Sequence, residues 1–418
     1  MRAGLARGLA ALAAAALLST ASAQQPASSW VGTWGTAAGG PALPAQQHVF
    51  DGQTVRLVVH TSIGGARVRI RLSNELGAQP LRIGAAHIAL RKHGADTVPG
   101  TDRVLTFGGL ASATIPPGAP LLSDPVELDV PALADLAVSL YLPGRAEAAT
   151  VHEWAAQTSY VSGPGDFTGT ASLPRSQAIG YWPFLTEVDV EAPGAGAVVA
   201  LGDSITEASL TARDANHRWT DLLALRLQRA PGDRIGVVNR GVSGNRMLRD
   251  PGEQPLFGKA LLARFDRDAL ASAGARYLVV LIGINDIGHP GMGAIPLAET
   301  PAPQDLIAGY RQLIARAHAK GLAVYGATLP PFEGTTFAKF YTRDKAAVRD
   351  AVNQWIRGSG EFDGVIDFDR ALRDPDHPTR LLSKYDSGDH LHPNDAGNQA
   401  MADAIPLELF HSAAAPRP

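Results

Sequence analysis

The alternation of apolar and polar positions divides this chain in two. Between Trp30 and about Val190 the period is two. Val68, Ile70 and Leu72 interleave with Arg67, Arg69 and Arg71, which predicts a strand with one buried and one wet face. Similar runs at 55–59, 81–90, 104–107, 126–130 and 138–142 predict further strands. Turn signals such as Asn74-Glu75-Leu76-Gly77, Pro116-Pro117-Gly118 and Pro143-Gly144 separate them at the short spacing of an antiparallel β-sandwich, jelly-roll-like in outline. Residues 150–185 are less regular and carry Trp154, Tyr160, Phe167, Tyr181, Trp182 and Phe184. These aromatics either pack an interface between domains or line a sugar-stacking surface.

After Glu191-Ala192-Pro193-Gly194-Ala195-Gly196 the pattern changes. Apolar runs at 197–201, 235–239, 277–282, 323–327 and 365–368 alternate with helix-period segments near 218–228, 259–272, 304–320, 343–356 and 395–410. Gly274 and Gly321 stand where helix C-terminal caps belong. Strand and helix in repetition predict a parallel sheet with right-handed crossovers.

Composition narrows the class. A length of 418 residues suits two domains, 24–192 and 193–418. The charge is 37 − 40 = −3 with no block of one sign, so neither nucleic acid nor an anionic membrane surface is an expected partner. The absence of cysteine removes disulfides, thiol nucleophiles and thiolate metal ligands together. Arg2 and Arg7, the apolar stretch 8–18 and Ala21-Ser22-Ala23 form a leader with a cleavage pattern over 1–23. That predicts an exported protein, secreted or periplasmic, with no stable membrane insertion.

The candidate chemistry gathers at the carboxyl ends of the predicted parallel strands, the edge where open α/β sheets bind ligands. The first strand ends in Gly202-Asp203-Ser204. The second leads into Asn239-Arg240-Gly241-Val242-Ser243-Gly244-Asn245, and the third into Gly283-Ile284-Asn285-Asp286. The last helix is preceded by Gly388-Asp389-His390-Leu391-His392-Pro393. Ser204 is placed as a nucleophile, with helix capping as its plainer role. His392 suits the base, and Asp389, three residues earlier, can orient it. The amides of Ser204 and Gly244 and the side chain of Asn285 are candidate oxyanion donors. Plainer readings stand beside these. Gly244 is also a turn glycine, Asn285-Asp286 a helix start, and Asp389, His390 and His392 a partial metal set. Asp203 and Asp286 suit accepting backbone N–H groups. Ser243, in a turn between Gly241 and Gly244, lacks the strand-to-helix setting and is a weaker nucleophile candidate. His152, His217, His289, His318 and His377 have no partner pattern and read as surface or structural. The loops 287–303 and 330–341 frame the pocket and offer Met292, Ile295, Leu297, Phe332, Phe337 and Phe340.

Together the four blocks resemble the SGNH, or GDSL-type, hydrolase family over roughly 198–410, with Gly-Asp-Ser-Ile in place of Gly-Asp-Ser-Leu. The resemblance implies a flavodoxin-like three-layer α/β/α sandwich and metal-free, cofactor-free ester hydrolysis. It assigns Ser204, Gly244, Asn285 and His392 to the site, with Asp389 from an Asp-x-x-His pattern. The exported β-domain opening on Trp30-Val31-Gly32-Thr33-Trp34 is similar to a subgroup associated with xylan-acting deacetylases. The expected protein is a serine esterase removing short acyl groups, acetyl first, from carbohydrates or small esters. The alternatives are a lipase- or phospholipase-type acylhydrolase, or a polysaccharide-binding protein with an accessory hydrolase domain. The expected partner is a small-molecule or polysaccharide ester.

Overall fold

The computed structural model describes residues 30–40, 47–232, 234–252 and 254–411, so the leader read at 1–23 lies outside the described residues. Two antiparallel sheets come first. One runs Trp30–Gly35, Leu185–Glu191, Gly65–Ser73, Val126–Val130 in order, with Pro120–Leu122 also on Gly65–Ser73. The other is built around Val49–His60, Asp135–Glu147 and Ala85–His93. The alternation explains the packing: Val68, Ile70 and Leu72 of one sheet and Val55, Leu57 and Val59 of the other are fully buried in one shared core. Arg69 on the opposite face pairs with Asp189 at 2.8 Å.

Two expectations change here. The run 81–90 is two strands, not one. Leu81–Ile83 pairs with Ala113–Ile115, while Ala85–His93 joins the second sheet. An unbroken apolar rhythm does not encode a change of partner. The irregular stretch 150–185 also contributes strands, Ser159–Pro164 and Gln177–Ile179.

The second half forms a parallel sheet from β1 (Gly196–Gly202), β2 (Ile235–Gly241), β3 (Ala275–Leu281), β4 (Ala323–Ala327) and β5 (Gly364–Ile366). The order is β2-β1-β3-β4-β5, the flavodoxin-like arrangement. The chain leaves β1 for one edge and β3 for the other. Right-handed crossovers therefore put the connecting helices on opposite faces, and three layers result. The helices are α1 (Ser204–Glu207), α2 (Trp219–Arg229), α3 (Leu261–Phe265), α4 (Ile284–Gly288), α5 (Pro303–His318), α6 (Arg343–Gly358), α7 (Phe368–Leu372) and α8 (Asp395–Asp403). Helix α2 packs on α8, and α5 on α6.

Two predicted helices are shorter than their pattern. The segment 259–272 is α3 followed by a π-helical turn, Asp266–Leu270. The segment 395–410 stops at Asp403, and after Pro406 only a 3₁₀ turn, Leu407–Phe410, follows. Gly274 and Gly321 do take left-handed conformations, φ 65° and 72°.

The segment between the halves is no loose tether, for Ala192 and Ala195 are buried. The strand Trp30–Gly35 lies against β2 so closely that a Cβ on Gly236 would sit 2.4 Å from the Gly32 carbonyl oxygen. The Val237 amide donates to Ser62 Oγ at 2.8 Å, and the Gly32 amide to the Ala273 carbonyl at 2.9 Å. Arg240 of β2 crosses to Glu187, both buried, and donates to the Thr186 carbonyl at 2.8 Å. No helix among the described residues is long and apolar enough to cross a membrane.

Candidate active site

The site begins where β1 runs out of partners. Gly202 ends the strand, Asp203 takes the N-cap position, and the chain turns into α1 at Ser204. Asp203 Oδ1 accepts from the Ile205 amide at 3.0 Å, so Asp203 is the cap of this turn. The Ser204 hydroxyl is left to face a side chain 188 residues away: Ser204 Oγ lies 2.8 Å from His392 Nε2. Both residues are buried, at 6% and 8% exposure.

His392 is held from behind. Its Nδ1 is 2.6 Å from Asp389 Oδ2. Asp389 Oδ1 accepts from the amides of His392 and Leu391 at 2.8 and 2.9 Å and from Ser387 Oγ at 3.0 Å. Burial opposes the charge on Asp389, but His392 and these amides outweigh it and hold the carboxyl well below the usual range. A carboxylate on Nδ1 fixes the proton there. Nε2 then presents its lone pair to the hydroxyl, the geometry in which an imidazole can take a serine proton. His390, two residues before, pairs with Asp386 instead. Among the described residues no group of three or more His, Asp or Glu is arranged to hold a metal ion.

The neighbouring strand ends supply donors. Gly244, past the end of β2, has φ 70°, and a Cβ there would lie 2.3 Å from the Phe257 ring. Neither its amide nor that of Ser204 donates to a protein acceptor among the described residues. Asn285, on α4 beyond β3, donates from Nδ2 to the Asn245 carbonyl at 3.1 Å, which orients the amide and leaves its second N–H. Ser204, Gly244, Asn285, Asp389 and His392 all line one cleft. Ser243 lines it too, but its hydroxyl is bonded to Glu207 and Ser209 and faces no imidazole.

Buried charged groups hold this edge in shape. Asp286 accepts from the amides of Met247 and Leu248 at 2.7 and 2.9 Å. Burial pushes the carboxyls of Asp286 and Asp203 up, to about 6 and about 7. Fully buried Arg264 donates to the carbonyls of Gly202 and Arg240 at 2.9 and 3.0 Å and to Asn245 Oδ1 at 3.1 Å, tying the ends of β1 and β2 together. In sequence it is an ordinary helical arginine, with no signal of this role.

The cleft measures about 1230 Å³ and is walled by both domains. The N-terminal domain contributes Glu153, Trp154 and Tyr181. Met292, Ile295, Phe337 and Phe340 of the framing loops line it. Two residues expected there do not: Phe332 is in the core at 1% exposure, and Leu297 points to solvent at 63%. The aromatic group of 150–185 divides between buried packing and the cleft wall. Trp182 is buried beside Trp34, 5.0 Å between ring centroids, and its Nε1 donates to the Val58 carbonyl at 2.9 Å. Trp154 is 42% exposed and overlooks the cleft, 6.3 Å from Phe257. His289 is a correction. It lines the cleft between Phe257 and Phe340, and burial, reinforced by the charges of Arg246 and Lys345, lowers its pKa to about 4. Its position one helical turn after Asn285 was the available signal. Leu210, Arg213, Arg246 and Gln254 also line the cleft from irregular segments, where pattern carries no information.

Comparison with known proteins bears on the second domain. Residues 200–400 match the model of the GDSL-like lipase/acylhydrolase family. No curated protein matches the chain. Among solved structures, a GDSL-like lipase from Bacteroides thetaiotaomicron is 19% identical, with 50% of this chain and 85% of that one covered and a TM-score of 0.36. An acetylxylan esterase from Geobacillus stearothermophilus is 22% identical, with 50% and 91% covered and a TM-score of 0.37. The family match coincides with the parallel-sheet half of the molecule and begins within β1. The C-terminal domain of this chain belongs to the GDSL-like lipase/acylhydrolase family, and the protein is a carboxylic ester hydrolase.

Proposed function

We propose that the protein is an exported serine esterase that removes short acyl groups, acetyl first, from carbohydrates or small esters. The observation that carries this reading is the relay from Asp389 through His392 to Ser204, with spans of 2.6 and 2.8 Å, at the floor of a two-domain cleft. Ser204 Oγ attacks the acyl carbonyl as His392 Nε2 takes its proton. The carbonyl oxygen, now negative, is received by the amides of Ser204 and Gly244 and the side chain of Asn285. Collapse expels the alkoxide, which leaves as the alcohol with the proton from Nε2, and the acyl group stays on Ser204 Oγ. Water then attacks the acyl-serine while Nε2 takes its proton. As the second tetrahedral intermediate collapses, Nε2 returns that proton to Ser204 Oγ and the carboxylic acid is released. Asp389 keeps Nδ1 protonated and stabilises the imidazolium of each half-reaction.

The carbohydrate reading is supported by the mixture of flat apolar faces, Trp154 and Tyr181, with polar Glu153, Arg213 and Gln254 along the cleft. A sugar ring presents the same mixture of apolar face and hydroxyl rim. Export, to the periplasm or the medium, is supported by the leader pattern in 1–23. A second reading, an acylhydrolase for longer chains, is favoured by Phe257, Met292, Ile295, Phe337 and Phe340, which line the same cleft. Initial rates on acetyl, butyryl and octanoyl esters, beside acetate release from acetylated xylan, decide between the two. Rates that fall with chain length, together with acetate release, support the first; rates that rise to octanoyl replace it with the second. Fluorophosphonate labelling that fails on wild type, or persists in Ser204→Ala, would refute the nucleophile.

A further inference from the structure

One buried carboxylate beside the site takes no part in the reaction above. Glu207 is the last residue of α1, three residues after Ser204, and is buried at 4% exposure. A carboxylate only accepts, and Glu207 accepts on every side. The Ser243 amide reaches Oε1 at 3.3 Å, Ser209 Oγ reaches Oε2 at 2.9 Å, and the Ser243 hydroxyl also donates to Oε2. Ser243 immediately precedes Gly244. The carboxylate of Glu207 therefore grips the residue that aims one of the oxyanion donors.

The fourth partner comes from the other domain. His152 Nε2 lies 3.2 Å from Glu207 Oε1, with both side chains within 5% exposure. His152 Nδ1 is 2.9 Å from the Ala37 carbonyl. That carbonyl only accepts, so Nδ1 carries a hydrogen, and Nε2 is the nitrogen that faces the Glu207 carboxylate. The ring packs against Trp182, centroids 5.4 Å apart. The Ala37 carbonyl holds Nδ1, and this orients Nε2 toward Glu207.

We infer that His152 is a positioning residue for the esterase site, acting through Glu207 and Ser243 on the Gly244 amide. The inference rests on the reaction proposed above. It assigns the N-terminal domain a part in turnover, beyond walling the cleft. Removing His152 leaves Glu207 buried without the imidazole that faces it. The carboxylate then relaxes toward new partners and carries the Ser243-Gly244 turn with it. Oxyanion donors act in the transition state more than in the ground state, so the loss falls on kcat and spares KM.

The test uses full-length protein and 4-nitrophenyl acetate. His152→Ala is expected to lower kcat by about 10- to 100-fold, the scale of a small misplacement of reacting groups, with KM changed by less than about twofold. His152→Gln, whose amide can still donate to Oε1, is expected to recover part of that loss. Glu207→Gln, which exchanges one acceptor oxygen for a donor, is expected to repeat the kcat loss at constant KM, and it supplies the measurement if the alanine variant does not fold. A normal kcat with only a lower melting temperature would make the pair merely structural and overturn the inference. So would a raised KM at normal kcat, or equal losses in the alanine and glutamine variants. Ser204→Ala runs alongside. If that variant stays active, the proposed reaction itself is wrong; if it is dead while the His152 and Glu207 variants turn over normally, only this inference falls.

Discussion

At the scale of single residues the site makes sharp claims. Ser204→Ala should fold and lose turnover by on the order of 10⁵-fold or more, because only binding and oxyanion stabilisation remain. Purified variant retaining a tenth of wild-type activity would contradict its role. Asn285→Ala should lower kcat by about 10²–10³-fold with KM nearly constant, since a donor to the oxyanion acts mainly in the transition state. A normal kcat with a raised KM would make Asn285 a substrate-binding residue. Asp203 gives a prediction in pH. Burial raises its carboxyl from the ordinary value to about 7. Between about pH 4 and about pH 7 the unfolded chain has released this proton and the folded protein has not, so stability falls as pH rises across that window. Asp203→Asn keeps an oxygen for the Ile205 amide and removes the titration. Its melting temperature should gain on wild type as pH rises from 4 to 7, and a pH-independent difference would disprove the account. Asp389 has the opposite sign: its lowered carboxyl contributes stability that is present above the ordinary carboxylate range and lost as pH falls through the folded value.

At the scale of elements, the long periodic pieces were legible and the short ones were not. The five parallel strands and the helices α2, α5 and α6 stand close to where their periodicity puts them. Helices α1, α4 and α7, of four or five residues, are too short to show a period, yet α1 and α4 carry Ser204 and Asn285. The motif residues were legible through their place after strands, where function and chain geometry coincide. Phe257 was not, because it reaches the cleft from a segment whose course local pattern does not determine, and His289 was signalled only by its place one helical turn after Asn285. The stretch 150–185 separates two roles that substitution can tell apart. Trp182→Ala removes a buried ring between the sheets and the interface and should cost about 3–5 kcal/mol of stability, read as a lower melting temperature and denaturation midpoint. Trp154→Ala should leave the melting temperature alone, raise KM for acetylated xylan, and spare a small acetyl ester. Unchanged kinetics on both substrates would remove Trp154 from the binding surface.

At the scale of the whole molecule, buried contacts join the two domains beside the cleft. Close backbone packing of Gly32 on Gly236, the buried Arg240–Glu187 pair and the His152–Glu207 contact all cross the same boundary. Catalysis by the serine relay calls on no metal, so exhaustive EDTA treatment should leave activity intact; loss with EDTA and recovery with zinc would require Asp389, His390 and His392 to be reread as ligands. The sequence by itself determined the class of each half, the strand ends that bear chemistry, and the identities of Ser204, Gly244, Asn285, Asp389 and His392 as candidates. Those follow from local physics: side-chain period, turn chemistry, and the few residue types able to attack, accept a proton or donate to an oxyanion. Tertiary structure alone decided that Ser204 meets His392 across 188 residues. It also decided which aromatics are core and which are cleft, and that a histidine of the first domain lies against a buried glutamate of the second. These depend on which surfaces pack together, a matter of shape and burial among distant segments that no local pattern in the chain records.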